Sequence, residues 1–290
     1  PVPDPTLSDY DLPLSWSYFV WSTKPADKLF DLASTGKLHQ PVVFEQHVKR
    51  FLADPKSKAL TDNFAEQWLN LQSLDEITPD PKIFKGFNDA LREDMKRETL
   101  LLFDTIKNED RSILDFLDAD FTFVNQRLAQ HYGMSRISSS GEEFQRVSLN
   151  PKQRAGVLTH ASILTITSNP DRTSPVKRGK WIMENVLGTA PPPPPPNVPE
   201  LEKTQKAQPN ATLREQLEIH RKDPACAVCH RTMDALGFGF ENFNAVGIWR
   251  EKDGGSPIDS SGVLPSGDKF DGPTELIQIL KTRKKQFSRC

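Results

Sequence analysis

Five residues, Cys226-Ala227-Val228-Cys229-His230, place the tightest constraint on what this chain can fold into. A C-x-x-C-H string is the attachment signal for a c-type haem. The two thiols add covalently to the haem vinyl groups, and the adjacent imidazole can then reach the iron from one face alone. Imidazole is a good ligand for iron, and the identity of the axial ligand is one lever on its potential. The same string also suits a reduced dithiol pair or half of a zinc site, although the sequence has no second C-x-x-C. Of the 3 cysteines, haem use leaves Cys290 over, as a free or an intermolecular thiol.

The 290 residues suffice for one large core or two modest domains. With a net charge of -2 and the signs interspersed, no global field favours nucleic acid or an anionic membrane. No apolar run approaches the roughly 20 residues of a membrane span. Hydrophobic content is low at 36 %, but 17 Phe and 5 Trp point to a partly aromatic core. Pro191 to Pro196 is an unbroken proline run. In polyproline II, at about 3.1 Å per residue, it spans roughly 19 Å without internal hydrogen bonds. It reads as a stiff spacer or strap rather than a recognition motif. The expected organisation is a helical domain over 1–190, a proline-rich linker or strap over 191–210, and a haem c-binding domain over 211–290, truncated at its C-terminal side.

Helical spacing dominates before the prolines. Ser8 and Asp11 form a capping-box pattern ahead of Leu12, Trp16 and Val20. Pro41 suits the first position of a helix carrying Phe44, Val48 and Phe51. Leu60, Phe64, Trp68 and Leu71 predict another helix, and the longest is expected from about Phe87 to Ile106. In that one Glu98 interrupts the apolar row of Leu91, Met95 and Leu102 and reads as a helix-face charge. A loop over 118–122, a helix over 123–132 ended by Gly133, a small strand over 144–149 and a helix over 155–166 follow. Pro175 opens a further helix, closed by Gly188. After the prolines, Thr212 caps a helix to about His220, 257–270 reads as a hairpin-like excursion, and Pro273 opens a last helix. The fold class is therefore mainly α: a multi-helical body joined by a polyproline strap to a small haem region with short β elements.

Across the iron, Met233 is an unsuitable ligand. In a continuous helix it stands about 4.5 Å along the axis from His230 and cannot reach the opposite haem face. His160 and His220 are the candidate distal ligands, ahead of a methionine such as Met183, and an open site is the alternative. An imidazole amid Leu158, Ile163 and Leu164 is also a common structural hydrogen-bonder. Arg172, in the loop 167–174, could join His160 in a polar distal pocket.

Longer strings resemble the large secreted proteins of planctomycetes and related bacteria that combine uncharacterised domains with c-type cytochrome motifs. Leu7-Ser8-Asp9-Tyr10, Ser17-Tyr18-Phe19 and Trp21-Ser22 resemble the opening of one such domain. Thr173-Ser174-Pro175-Val176-Lys177-Arg178-Gly179, with Leu187-Gly188 and the prolines, resembles its end. Cys226 to Arg250, with Met233-Asp234, Leu236-Gly237-Phe238 and Glu241-Asn242-Phe243, resembles the adjacent haem-bearing domain. The resemblance implies a periplasmic or secreted protein with one covalent haem c, and a parent polypeptide extending beyond Pro1 and Cys290. The leading expectation is an electron-transfer module whose partner is another domain of that polypeptide or a redox protein. The alternatives are a peroxidase- or oxidase-like haem enzyme and a helical scaffold for a polysaccharide or surface partner.

Overall fold

Ser8 and Asp11 do form a reciprocal cap. The Asp11 N–H donates to Ser8 Oγ and the Ser8 N–H to Asp11 Oδ2, each at 3.2 Å, and the helix Asp11–Trp21 follows. The computed structural model describes residues 8–24, 27–38, 40–134, 141–192, 212–220 and 224–289; for 27–29, 220 and 224–229 it describes the backbone alone. The described chain is mainly helical. It divides into two compact units, one formed by the described residues of 1–70 and 100–112, the other by those of 71–99 and 113–290. The helix Asp89–Asn108 contributes to both.

The first unit holds the aromatic core that the Phe and Trp content called for. Trp21 stacks on Phe51 with ring centroids 4.1 Å apart, and its Nε1 donates to the Phe51 carbonyl at 2.9 Å. Trp16 meets Phe44 edge-on at 4.6 Å, an arrangement the ring quadrupoles favour. One expectation is corrected here. Residues 60–71 are not one α-helix but a π-helical turn, Leu60–Ala65, and a short helix, Glu66–Trp68. Asn70, at φ 55, turns the chain out of helix, since a short amide side chain tolerates the left-handed region.

In the second unit the core gathers Leu74, Leu91, Met95, Val124, Leu128, Ala129 and Ala161. Three two-stranded antiparallel sheets occur among the described residues. Phe121–Val124 pairs with Gln145–Ser148, Phe121 standing opposite Ser148. The other two pair Lys252–Asp253 with Ser256–Pro257 and Ser261–Val263 with Lys269–Asp271. The strand Phe121–Val124 replaces the expected loop and the first turn of the expected helix. Its alternation of aromatic and β-branched residues suits a pleat. The helix begins only after Asn125, whose side chain accepts from the Leu128 N–H at 2.9 Å. The helix expected over 155–166 is likewise divided. Val157–Thr159 is a 3-10 turn, His160 is extended at ψ 139, and Ala161–Ile166 is α-helical.

The helix Pro175–Asn185 packs closely on the helix Pro224–Phe238 that carries the C-x-x-C-H string. Two glycines permit this. A Cβ on Gly179 would fall 1.8 Å from the Met233 carbonyl oxygen, and one on Gly237 would fall 1.9 Å from that of Pro175. The polyproline strap expected over 191–210 lies, beyond Pro192, outside the described residues. Among the described residues no helix is long and apolar enough to cross a membrane.

Candidate functional site

Residues 224–238 form one helix, so Cys226, Cys229 and His230 all stand within its first two turns. The side chains of Cys226 and Cys229 lie outside the described residues, as does that of His220, the last residue of the helix Leu213–His220. The side chain of His230 is 18 % exposed, and its Nδ1 lies 3.0 Å from Oδ1 of Asp234, which is fully buried. Residues four apart share a helix face. An ionised carboxylate only accepts, so Nδ1 carries the hydrogen and the ring's lone pair sits on Nε2. Histidines that ligate metals are oriented in this way by a carboxylate on the other nitrogen. Held in this way, His230 would suit an iron bound through Nε2. Met233 is buried, with its backbone carbonyl against Gly179.

Residues 154–253 match the model of PSCyt3, a protein of unknown function (DUF1588). Residues 7–134 match that of PSD4, also a protein of unknown function (DUF1592). Both are associated with planctomycete-type multidomain proteins. No curated protein and no solved structure matched the chain. The C-x-x-C-H string falls inside the PSCyt3-like segment.

His160, also in that segment, is 1 % exposed and sits in a chain of hydroxyls. Its Nδ1 is 2.9 Å from Thr99 Oγ1, which is 2.8 Å from Ser162 Oγ. Its Nε2 is 3.3 Å from Thr122 Oγ1, which donates to Glu98 Oε1 at 2.7 Å. One proton order satisfies all of these contacts. Ser162 donates to Thr99, Thr99 to Nδ1, Nε2–H to Thr122, and Thr122 to Glu98, which makes His160 a neutral imidazole. Burial and the Arg154 charge hold its pKa down, to about 3. Glu98, far from being a helix-face charge, is 1 % exposed. Its Oε2 accepts from the Tyr132 hydroxyl at 2.5 Å, and burial pushes its pKa up to about 7. Arg154 lies over the Tyr132 ring at 3.8 Å and donates to the carbonyls of Thr159, at 2.6 Å, and Gly247. The network thus joins residues of the PSD4-like segment to residues of the PSCyt3-like one.

Arg172 lines a cleft of about 590 Å³ in the second unit, together with Phe84, Phe87, His131, Val246 and Arg250. His160 is not among its lining residues. The two groups imagined as one polar pocket therefore stand in different surroundings, and the imidazole accompanying Arg172 is that of His131. His131 Nε2 donates to the Val246 carbonyl at 2.7 Å, and burial lowers its pKa. The cleft wall over 244–248 is held from behind. Arg178 Nη2 donates to the Asn244 carbonyl at 3.0 Å, and its Nη1 pairs with the buried Glu241 at 3.0 Å.

Sequence reasoning gave Asp234 no role of its own and passed over His131 and the network around Glu98. Asp234 had a local signal, a carboxylate four residues beyond the motif histidine on the same helix. His131 had none, since its partner Val246 is remote in sequence. Among the described residues no group of three His, Cys, Asp or Glu side chains is arranged to hold a metal ion.

Proposed function

We propose that this chain is an extracytoplasmic electron-transfer module carrying one covalent haem c, attached at Cys226 and Cys229 and ligated by His230. The observation that supports this best is the C-x-x-C-H string on one helix with its histidine ring held through Nδ1 by a buried carboxylate at 3.0 Å. Bound there, a haem supplies one-electron exchange at its iron. The chain's part is to hold and orient. His230 offers Nε2, Asp234 fixes the ring, and the glycine contacts with Pro175–Asn185 keep the helix in place. Covalent attachment of haem c is an extracytoplasmic process, hence the compartment. The redox partner would be another domain of the parent polypeptide or a separate protein. Electron transfer is favoured over peroxide chemistry because His160 and Arg172, which would furnish a polar distal pocket, do not share one. Arg172 lines the cleft and His160 does not, the ring nitrogens of His160 facing threonine hydroxyls instead. This leaves His220 the stronger candidate for the second axial position. Denaturation and acid-acetone extraction test the attachment: the haem absorbance should stay with the protein, and its loss into the solvent would overturn the reading. Low-spin spectra in both oxidation states, unchanged by carbon monoxide, should separate a two-ligand centre from an open one.

A second reading, a scaffold for polysaccharide, has one observation in its favour. Tyr10, Leu14 and Tyr18 are 53 %, 37 % and 54 % exposed and recur every fourth residue. That spacing places neighbours about 6 Å apart along one side of the helix and its N-cap, with a tyrosine ring at either end on which a sugar ring can stack. Loss of polysaccharide retention on Tyr18→Ala is the check, and retention equal to wild type would sink it.

A further inference from the structure

We propose that Asp234 is the positioning residue of the proximal histidine and that its charge holds the reduction potential of the centre low. The proposal rests on the covalent-haem reading and goes beyond it to the electronics of the site. Three observations carry it. Asp234 is fully buried, so its oxygens face protein rather than bulk water. It meets Nδ1 of His230 at 3.0 Å, on the nitrogen that would not bind iron. Its backbone cannot shift easily, because Met233 abuts Gly179 and Gly237 abuts Pro175 in the two helical turns around it.

A carboxylate accepting the Nδ1–H draws that proton away from the ring and makes Nε2 a stronger donor. The effect is larger where water does not screen the charge. The oxidised iron carries one more positive charge than the reduced iron. A stronger, more anionic donor therefore stabilises the oxidised state preferentially and lowers the potential, hydrogen bonding around an axial ligand being one of the protein's levers on it. A histidine held only by a neutral backbone carbonyl would have less of this character.

The test is a spectroelectrochemical titration of Asp234→Asn against the wild-type chain, each first shown to retain its haem on acid-acetone extraction. The Asn side chain is isosteric and still accepts from Nδ1, but it carries no charge. The potential should rise by about 59 mV, a tenfold change in the one-electron equilibrium. Haem retained with an unchanged potential would overturn the role of Asp234 and leave the haem reading standing. Wild-type protein without covalent haem would remove both. Should the Asn variant fail to fold, Asp234→Glu and Asp234→Ser give the same readout. The potential should stay near wild type with the charge kept and rise with it removed; a rise in both would assign the effect to packing and overturn the proposal.

Discussion

Thr122 stands between Glu98 and His160, its hydroxyl 2.7 Å from the carboxyl oxygen and 3.3 Å from the imidazole nitrogen. The two ionisable groups it joins are pushed in opposite senses. Burial raises Glu98 from 4.5 to about 7 and lowers His160 from 6.5 to about 3. Between pH 4.5 and 6.5 the folded chain keeps a proton on Glu98 that the unfolded chain loses, and it refuses one on His160 that the unfolded chain takes. The two slopes of stability against pH cancel in that window. Glu98→Gln should leave only the histidine, so that stability falls on acidification from 6.5 towards 3. His160→Gln should leave only the carboxyl, so that stability falls as pH rises from 4.5 through 7. Each slope is on the order of 1 kcal/mol per pH unit. Urea midpoints across pH check this, and two variants with parallel profiles would refute it.

Glu98 also marks how far the sequence could be read. Its place in the row of Leu91, Met95 and Leu102 was legible, and that row is buried, so the burial of Glu98 could have been foreseen. Its partners could not. Thr122 and Tyr132 are separated from it by 24 and 34 residues, and no local spacing encodes such a meeting. Helices fared well because a capping box or an apolar stripe is a local signal, as at Ser8 and Pro41. The strand Phe121–Val124 fared badly because its hydrogen bonds go to Gln145–Ser148. At the candidate site the motif and Asp234 are local, whereas the neighbours of His160 and Arg172 come from the packing of distant segments.

The contact of Pro175–Asn185 with the motif helix should be intolerant of one added methyl group. Gly179→Ala would bring a Cβ against the Met233 carbonyl, and Gly237→Ala one against the Pro175 carbonyl. Overpacking of this kind costs typically about 1–3 kcal/mol, and more when backbone must move. Each variant should lower the thermal midpoint and the fraction of chain that retains haem. Gly86→Ser, where a Cβ meets nothing within 4 Å and φ is not positive, serves as the surface control. Wild-type midpoints for both helix variants would mean that these helices do not approach so closely.

Arg154 is predicted to be irreplaceable by lysine. Its guanidinium reaches two carbonyls while lying between the Tyr132 ring at 3.8 Å and the Phe243 ring at 4.8 Å. An ammonium has no planar fork with which to do both. In Arg154→Lys at least one buried carbonyl goes unpaired, at a cost of about 1–3 kcal/mol. Chemical denaturation should show the loss with an unchanged m-value. A variant as stable as wild type would show that the fork is dispensable.

The second axial ligand gives the last prediction, and His160 and His220 make opposite forecasts. Recruiting His160 to iron would break its hydrogen bond to Thr99 or Thr122 and strip Glu98 or Ser162 of an ordered neighbour deep in the core. His220 ends the helix Leu213–His220, just ahead of the motif helix. His160→Ala should therefore leave a low-spin iron low-spin while lowering stability by about 1–3 kcal/mol, the cost of orphaning buried hydroxyl partners. His220→Ala should convert the iron to high-spin. Absorption spectra of the ferric proteins decide between them in one pair of measurements. A high-spin iron on loss of His160 alone would place that imidazole on the metal and require the hydroxyl chain around it to rearrange when haem binds.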